Sequence, residues 1–290
     1  MAPGKHGQIG GITDWQGVRP PPPPPPTSTP PQPIARWPIA RLAAVESLWG
    51  AGYIGPGGPE ETLRLAKPLG LDADATLLLL GGGIGGPADS IARTFGTSVK
   101  SFVADPELTT IAERRRTEYP TASRVQVGSW NPERPAFDRQ SANHAMALEA
   151  LRGAPAEPVL DSLAGALRPH GRIVLTELVT DAPAPTVDRE FAAWCRLDDR
   201  SPDLPRAHTV TTALTERHFD VQVIEDLSDR HVSAALAGWR GAVKTMASGP
   251  RPPAAAAGIF VTEAELWLLR IRLMRRLGFR LLRWYAIGAA

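Results

Sequence analysis

The sequence predicts an α/β fold in which helices cover both faces of a mostly parallel sheet, and three observations predict it. Leu77-Leu78-Leu79-Leu80 runs straight into Gly81-Gly82-Gly83-Ile84-Gly85-Gly86-Pro87, as a strand buried on both faces does where it turns sharply into a helix. A second strongly apolar run, Arg172 to Val179, follows the turn Arg168-Pro169-His170-Gly171. Around these two, short apolar runs alternate with segments of helical period, as strands joined by helical crossovers do.

Composition limits the function classes. The 290 residues suffice for one large α/β domain or two small ones, and 43% hydrophobic residues furnish a sizeable core. A formal net charge of +2 argues against a general nucleic-acid binder. The single cysteine, Cys195, excludes an internal disulfide framework and a cysteine-built zinc site, and fits a reducing compartment. No run of some 18 apolar residues exists to span a bilayer, and the N-terminus lacks the apolar core of a secretory signal. A cytoplasmic protein is expected, with no nucleic acid, no integral membrane segment and no metal site.

Residues 1–33 are rich in Gly, Pro, Ser and Thr, with an unbroken proline run from Pro20 to Pro26. Serial prolines adopt extended polyproline II and build no core, so a disordered leader is expected. Residues 34–68 should form an N-terminal cap. A helix ending at Trp49 leads into the loop Gly50-Ala51-Gly52-Tyr53-Ile54-Gly55-Pro56-Gly57-Gly58-Pro59, and a short helix from Glu60 to Ala66 follows. Trp49 and Tyr53 read as packing of this cap, or else as pocket walls.

Residues 69–290 should form the core, with insertions near 182–207 and 229–262. After the glycine cluster, Pro87 suits a first helical turn, and Ile91, Ala92 and Phe95 share one face. Val99 to Ala104 alternates as a second strand and stops at Asp105. Pro106 to Tyr119 is helical, with Arg114, Arg115 and Arg116 on a solvated face. Arg124 to Val127 is a third strand, followed by Ser129 and Trp130. Phe137 to Ala147 should hold the fourth, although Asp138, Arg139, Gln140, Asn143 and His144 make it polar. Helices are expected at Val159 to Leu167, Phe191 to Arg196, Val210 to His218 and Ser228 to Ser248. Phe219 to Ile224 is a sixth strand, and Gly249 to Gly258 reads as a linker. Glu263 to Leu277 is an amphipathic helix, Gly278 fits its stop, and Arg280 to Ile287 is a last strand.

The strand, the glycines and the acid at the tip of the next strand form a nucleoside half-site. Glycines let backbone N–H groups approach a ligand, and a carboxylate there accepts from ribose hydroxyls. Gly81, Gly83 and Gly86 fit G-x-G-x-x-G; Gly81, Gly83 and Gly85 fit G-x-G-x-G. Material precedes the loop, and the chain closes with helix, glycine and short strand. Together with Leu167-Arg168-Pro169-His170-Gly171-Arg172-Ile173-Val174-Leu175-Thr176-Glu177, this ordered set resembles the class I S-adenosylmethionine-dependent methyltransferases, over roughly residue 69 to the end.

The resemblance implies a Rossmann-like sheet of seven strands, the last antiparallel beside the sixth, with helices on both faces and a helical cap. It implies S-adenosyl-L-methionine as cofactor, held by Gly81, Gly83, Gly85 and Asp105. Ser129 and Trp130 stand where the family often has an acid for the adenine and complete the implied cofactor site, Ser129 by hydrogen bonding and Trp130 by packing on the base. Leu79 stands where it usually has an acid before the first glycine, and His170 replaces the first glycine of the P-G-G turn. The loop at Trp49 to Gly58 resembles the entry loop of small-molecule members. In-line transfer from an activated sulfonium needs positioning and water exclusion more than a fixed catalytic set. His144 and Glu177 are the candidate catalytic groups, His144 as a base just past the fourth strand and Glu177 at the ligand end of the fifth. Methyl transfer to a small organic acceptor is the leading reading. An NAD(P)-dependent oxidoreductase and a non-catalytic methyltransferase-like binding protein stay open. The arginine-bearing helix from Glu263, with Trp267 and Arg270, reads as sheet packing ahead of a membrane-surface helix.

Overall fold

The computed structural model describes Met1 and residues 36–152, 154–181, 188–249 and 254–289. The expected proline-rich leader lies, apart from Met1, outside the described residues, as do positions 182–187 of the first insertion. The chain divides into two units, Met1–Ile34 and Ala35–Ala290, and the sheet and its helices all belong to the second.

Seven strands form one sheet: β1 (Thr76–Leu80), β2 (Ser98–Val103), β3 (Val125–Ser129), β4 (Ala142–Leu148), β5 (Leu167–Val179), β6 (Phe219–Asp226) and β7 (Arg280–Gly288). Their order is β3-β2-β1-β4-β5-β7-β6. The five strands from β3 to β5 pair in parallel, while β7 runs antiparallel to both β5 and β6. That hairpin-like ending separates the chain from the dinucleotide-binding fold, whose sixth strand continues the parallel order.

Nine helices are described: α1 (Ile39–Trp49), α2 (Gly58–Ala66), α3 (Gly86–Phe95), α4 (Pro106–Arg116), α5 (Ala156–Ala166), α6 (Arg189–Asp198), α7 (Ala207–Glu216), α8 (Ser228–Ser248) and α9 (Ala254–Leu277). Leu77 and Leu79 pack on one side of the sheet with Ile91, Met146, Val174 and residues of α6, α8 and α9. Leu78 and Leu80 pack on the other side with Ala145, Ile173, Trp284 and residues of α5 and α7. Covered on both faces from Leu77 to Leu80, β1 has no position there for a polar side chain, which is why four leucines occupy it.

Several expectations shift. β4 begins at Ala142, five residues later than the sequence suggests, so Asp138, Arg139 and Gln140 precede it. Its two remaining polar side chains are used as hydrogen-bonding groups: Asn143 Oδ1 accepts from Thr76 N at 2.8 Å, and His144 Nδ1 accepts from Arg172 N at 3.1 Å. α9 begins at Ala254, nine residues early, because alanines at the end of the expected linker propagate a helix well. Its apolar side packs on α1, α6 and α8 as a cap layer rather than on lipid; Trp267 meets Trp49 edge-on at 5.1 Å, and Arg41 pairs with Glu263 at 2.5 Å. Among the described residues no helix is long and apolar enough to cross a membrane.

On α4 the arginines are not all solvated. Arg115 forms a two-pronged pair with Glu46 of α1, and Arg116 donates to Ala122 O at 3.0 Å. β5 begins at Leu167, five residues ahead of the expected Arg172, so the expected turn lies inside the strand as an irregularity in its pairing with β4, where His170 takes a left-handed φ of 60°.

Candidate active site

The carboxyl ends of β1, β2, β4 and β5 open on a cavity of about 1010 Å³. Its floor begins at Gly81, where φ is 76° and an added Cβ would lie 2.1 Å from Leu148 O. Only glycine fits there, because the end of β4 passes so close. Gly81 and Gly83 line the cavity; Gly85 caps α3 with φ 105° and is not part of the lining.

The loop after α1 lies over these glycines. Gly52 O accepts from Gly86 N at 3.0 Å, and Tyr53 Oη contacts Gly86 O at 3.2 Å and Ser90 Oγ at 2.7 Å. Burial raises the Tyr53 phenol above its ordinary value. A Cβ on Gly86 would strike the Tyr53 ring at 2.7 Å, so that glycine admits the loop rather than a ligand. Tyr53 and Ile54 line the cavity, while Trp49 is packed between Trp267 and Gly238.

Asp105 also lines it, and both its carboxylate oxygens are engaged. Oδ1 caps α4 by accepting from Glu107 N at 2.8 Å and Leu108 N at 3.2 Å. Oδ2 accepts from Trp37 Nε1 at 3.0 Å and Arg36 Nη1 at 3.1 Å. Arg36 and Trp37 are held in turn by Glu107, whose two oxygens accept from their backbone N–H groups. Trp130 lines the cavity with its ring against Phe137, 5.9 Å between centroids. Ser129 is exposed at the end of β3 and does not reach the lining.

His144 stands elsewhere. It is the third residue of β4, in register with Leu77 at the start of β1, so it sits at the amino end of the sheet, away from the cavity. Burial and Arg172 lower its pKa. The late start of β4 is the cause: the residue at its carboxyl tip is Glu149. Glu177 is fully buried and is likewise not in the lining. Its Oε2 accepts from Leu151 N at 2.9 Å, so it pins the segment after β4 from behind. Burial pushes Glu177 up to about 7, against the pull of Arg200.

That segment is the part the sequence conceals. Glu149 and Arg152 have left-handed φ of 44° and 41°, a conformation that costs non-glycine residues about 1 kcal/mol or more each. Glu149 Oε1 accepts from Arg270 Nη2 at 2.7 Å, and Oε2 lies 3.8 Å from Arg200 Nη1. Although desolvation opposes it, these arginines and His231 hold the Glu149 carboxyl down at about 2. His231, in the first turn of α8, is brought down to about 3 by burial and then by Arg270. Its ring lies 5.8 Å from that of Trp267. Glu149, His231, Trp267 and Arg270 all line the cavity. Arg270 is 5% exposed. Glu149 becomes legible once β4 is started at Ala142; His231 and the fate of Arg270 depend on how the cap helices fold back.

No family model matches the chain. Over 137 residues it is 29% identical to phosphoethanolamine N-methyltransferase 2 of Caenorhabditis elegans, covering 47% of this chain and 31% of the relative. The chain thus spans about a third of the length of the curated relative it matches. Among solved structures it is similar to phosphoethanolamine N-methyltransferase 2 of Haemonchus contortus in complex with phosphomonomethylethanolamine and S-adenosylhomocysteine. There the TM-score is 0.71 at 18% identity, over 86% of this chain and 57% of the other. It is also similar to geranyl diphosphate C-methyltransferase of Streptomyces coelicolor A3(2) in complex with Mg²⁺, geranyl diphosphate and S-adenosylhomocysteine, with TM-score 0.59, 16% identity and coverages of 79% and 80%. A third neighbour is the [4+2]-cyclase SpnF, with TM-score 0.66, 18% identity and coverages of 87% and 95%. The fold is that of the class I S-adenosylmethionine-dependent methyltransferases.

Proposed function

We propose that the protein binds S-adenosylmethionine across the Gly81–Gly86 loop and transfers its methyl group to a small organic acceptor held beneath α8 and α9. The observation that carries this reading is one cavity lined by Gly81, Gly83 and Asp105 at one part and by Glu149, His231, Trp267 and Arg270 at another. At about 1010 Å³ it has room for a nucleoside and a small acceptor together. Asp105 would face the ribose, Gly81 and Gly83 would lie under the ligand, and Trp130 offers an apolar surface for the base.

Bound there, the sulfonium supplies a methyl group already activated for displacement. The residues of this chain hold the acceptor in line and keep water out. With Glu149 near 2 and His231 near 3, neither is a strong proton acceptor, so positioning is their role. Glu177 holds the segment after β4 in place, and neither it nor His144 has a part in the chemistry.

The fold alone leaves the chemistry open, since a methyltransferase and a cyclase share it. The molecules bound in two neighbours, phosphomonomethylethanolamine and geranyl diphosphate, are both small, which supports a small acceptor. A single, buried cysteine supports a cytoplasmic site of action.

Calorimetry with S-adenosylhomocysteine and with NAD⁺ and NADP⁺ tests the cofactor. Binding of the first alone supports the reading, and the reverse result removes it. Incubating the protein and methyl-labelled S-adenosylmethionine with metabolite extract, then identifying the labelled product, tests the transfer. Binding without any labelled product leaves a non-catalytic relative as the answer.

A further inference from the structure

Among the described residues twelve buried side-chain nitrogens lack a hydrogen-bond partner, and three of them fall together on the wall built by α8 and α9. His231 Nε2, Trp267 Nε1 and Arg270 Nε are each buried and have no hydrogen-bond partner. Their residues adjoin: His231 and Trp267 rings lie 5.8 Å apart, and the Arg270 guanidinium carbon is 5.5 Å from the Trp267 ring centre. All three line the cavity. A buried N–H without an acceptor is destabilising, and native proteins rarely keep several together. Trp267 and Arg270 are donors only, so what this wall lacks is acceptor oxygens.

The carboxylate attached to this wall does not supply them. Glu149 Oε1 takes Arg270 Nη2, and its Oε2 faces Arg200. Behind it, Arg152, Arg200 and Arg270 stand against Glu149, Asp198 and Glu177. Three arginines thus face three carboxyl groups, of which burial pushes Glu177 up to about 7.

We propose that the methyl acceptor carries an oxyanion, a carboxylate or a phosphate, and that His231, Trp267 and Arg270 bind it as a specificity-determining wall of the cavity. The inference rests on the methyltransferase reading for the word acceptor, but the anion site itself stands apart from it. A planar carboxylate or a tetrahedral phosphate presents several acceptor lone pairs, and charge-assisted bonds such as Arg270 can make to it are the strong ones. Occupation would complete the wall and set the acceptor's reactive end toward the glycine loop.

The test uses the full chain saturated with S-adenosylhomocysteine. Inorganic phosphate, acetate and methylammonium are titrated by calorimetry at constant ionic strength against a chloride baseline. Phosphate or acetate should bind and methylammonium should not; whichever anion binds more tightly identifies the acceptor's charged group. Trp267→Phe keeps the ring and removes the donor, and should weaken the preferred anion about tenfold, the loss expected for a bond to a charged group. His231→Phe, on a half-buried side chain, should do the same and serves if the first variant does not fold. Affinity for S-adenosylhomocysteine should stay within about twofold of wild type in either variant. Methylammonium binding with no anion binding, or anion binding that both variants leave intact, overturns the proposal. Anion binding with the variant losses but no S-adenosylhomocysteine binding leaves the anion wall standing and removes the methyltransferase reading. The converse removes the wall alone.

Discussion

Trp37 Nε1 donates to Asp105 Oδ2 at 3.0 Å, and so occupies the oxygen that a ribose hydroxyl would seek. Arg36 Nη1 reaches the same atom at 3.1 Å and pairs with Asp199 at 2.6 Å beyond it. Arg36 therefore straps the tip of β2 to the end of α6. With Oδ1 committed to the helix cap, every strong accepting direction of this carboxylate is taken. A nucleoside binding here exchanges its hydroxyls for Trp37 and Arg36.

Trp37→Phe removes the competing donor and keeps the ring that packs under Arg41, 4.2 Å away. S-adenosylhomocysteine should bind severalfold more tightly, in line with a hydrogen bond worth about 1 kcal/mol. Asp105→Ala should weaken it about tenfold or more, and should cost about 1 kcal/mol of stability through the lost cap. Calorimetry of both variants reads this directly. Weaker binding by Trp37→Phe would mean the indole is a wall of the site rather than its occupant.

Most of the sheet is readable from the sequence because its strands are either uniformly apolar or sharply punctuated. Leu77 to Leu80 before Gly81, and the antiparallel ending after Gly278, leave little freedom of register. β4 is harder: Asn143 and His144 are polar for reasons of pairing with Thr76 and Arg172, contacts 67 and 28 residues away in the chain. Placing the strand early puts His144 at the wrong end of the sheet and hides Glu149. The wall of the cavity is out of reach for a different reason. Arg270 looks like any arginine on an amphipathic helix until α9 folds over the end of β4 and buries it against Glu149.

His144→Ala tests the revised register. The change removes the acceptor for Arg172 N, inside the sheet and far from the cavity, and should lower stability by about 1–3 kcal/mol. Affinity for S-adenosylhomocysteine and any rate of methyl transfer should match wild type. A variant that keeps its melting temperature and loses transfer would restore His144 as a base.

Glu149→Ala should be among the most damaging single changes in the cap. It strands Arg270, 5% exposed, and removes one of three carboxylates facing Arg200. Breaking a buried pair costs about 3 kcal/mol, at the low end because the cavity admits water to Glu149. Denaturant unfolding measures the loss, and Glu149→Gln, which keeps an acceptor, should recover part of it. Because the folded pKa of Glu149 is about 2, well below the ordinary 4.5, its stabilisation is present above pH 4.5 and fades as pH falls toward 2.

Glu177 should act in the opposite sense and in a higher window. Its folded pKa is about 7 against 4.5 for the free side chain, so between these values the native state holds a proton that the unfolded chain has released. Stability from this group is thus full below pH 4.5 and declines as pH rises through 7. His231 complicates the wild-type curve: with its pKa near 3 instead of 6.5, it adds stability as pH rises from 3 to 6.5. Comparing variants isolates the carboxyl. Glu177→Gln mimics the protonated form and keeps an oxygen for Leu151 N. Its unfolding free energy relative to wild type should therefore climb between pH 5 and pH 8, where the wild-type carboxyl ionises in a site nearly closed to water. A difference that stays flat over that range would mean Arg200 holds the carboxylate charged throughout, and the segment after β4 would then be pinned by an ion pair rather than by a neutral acid.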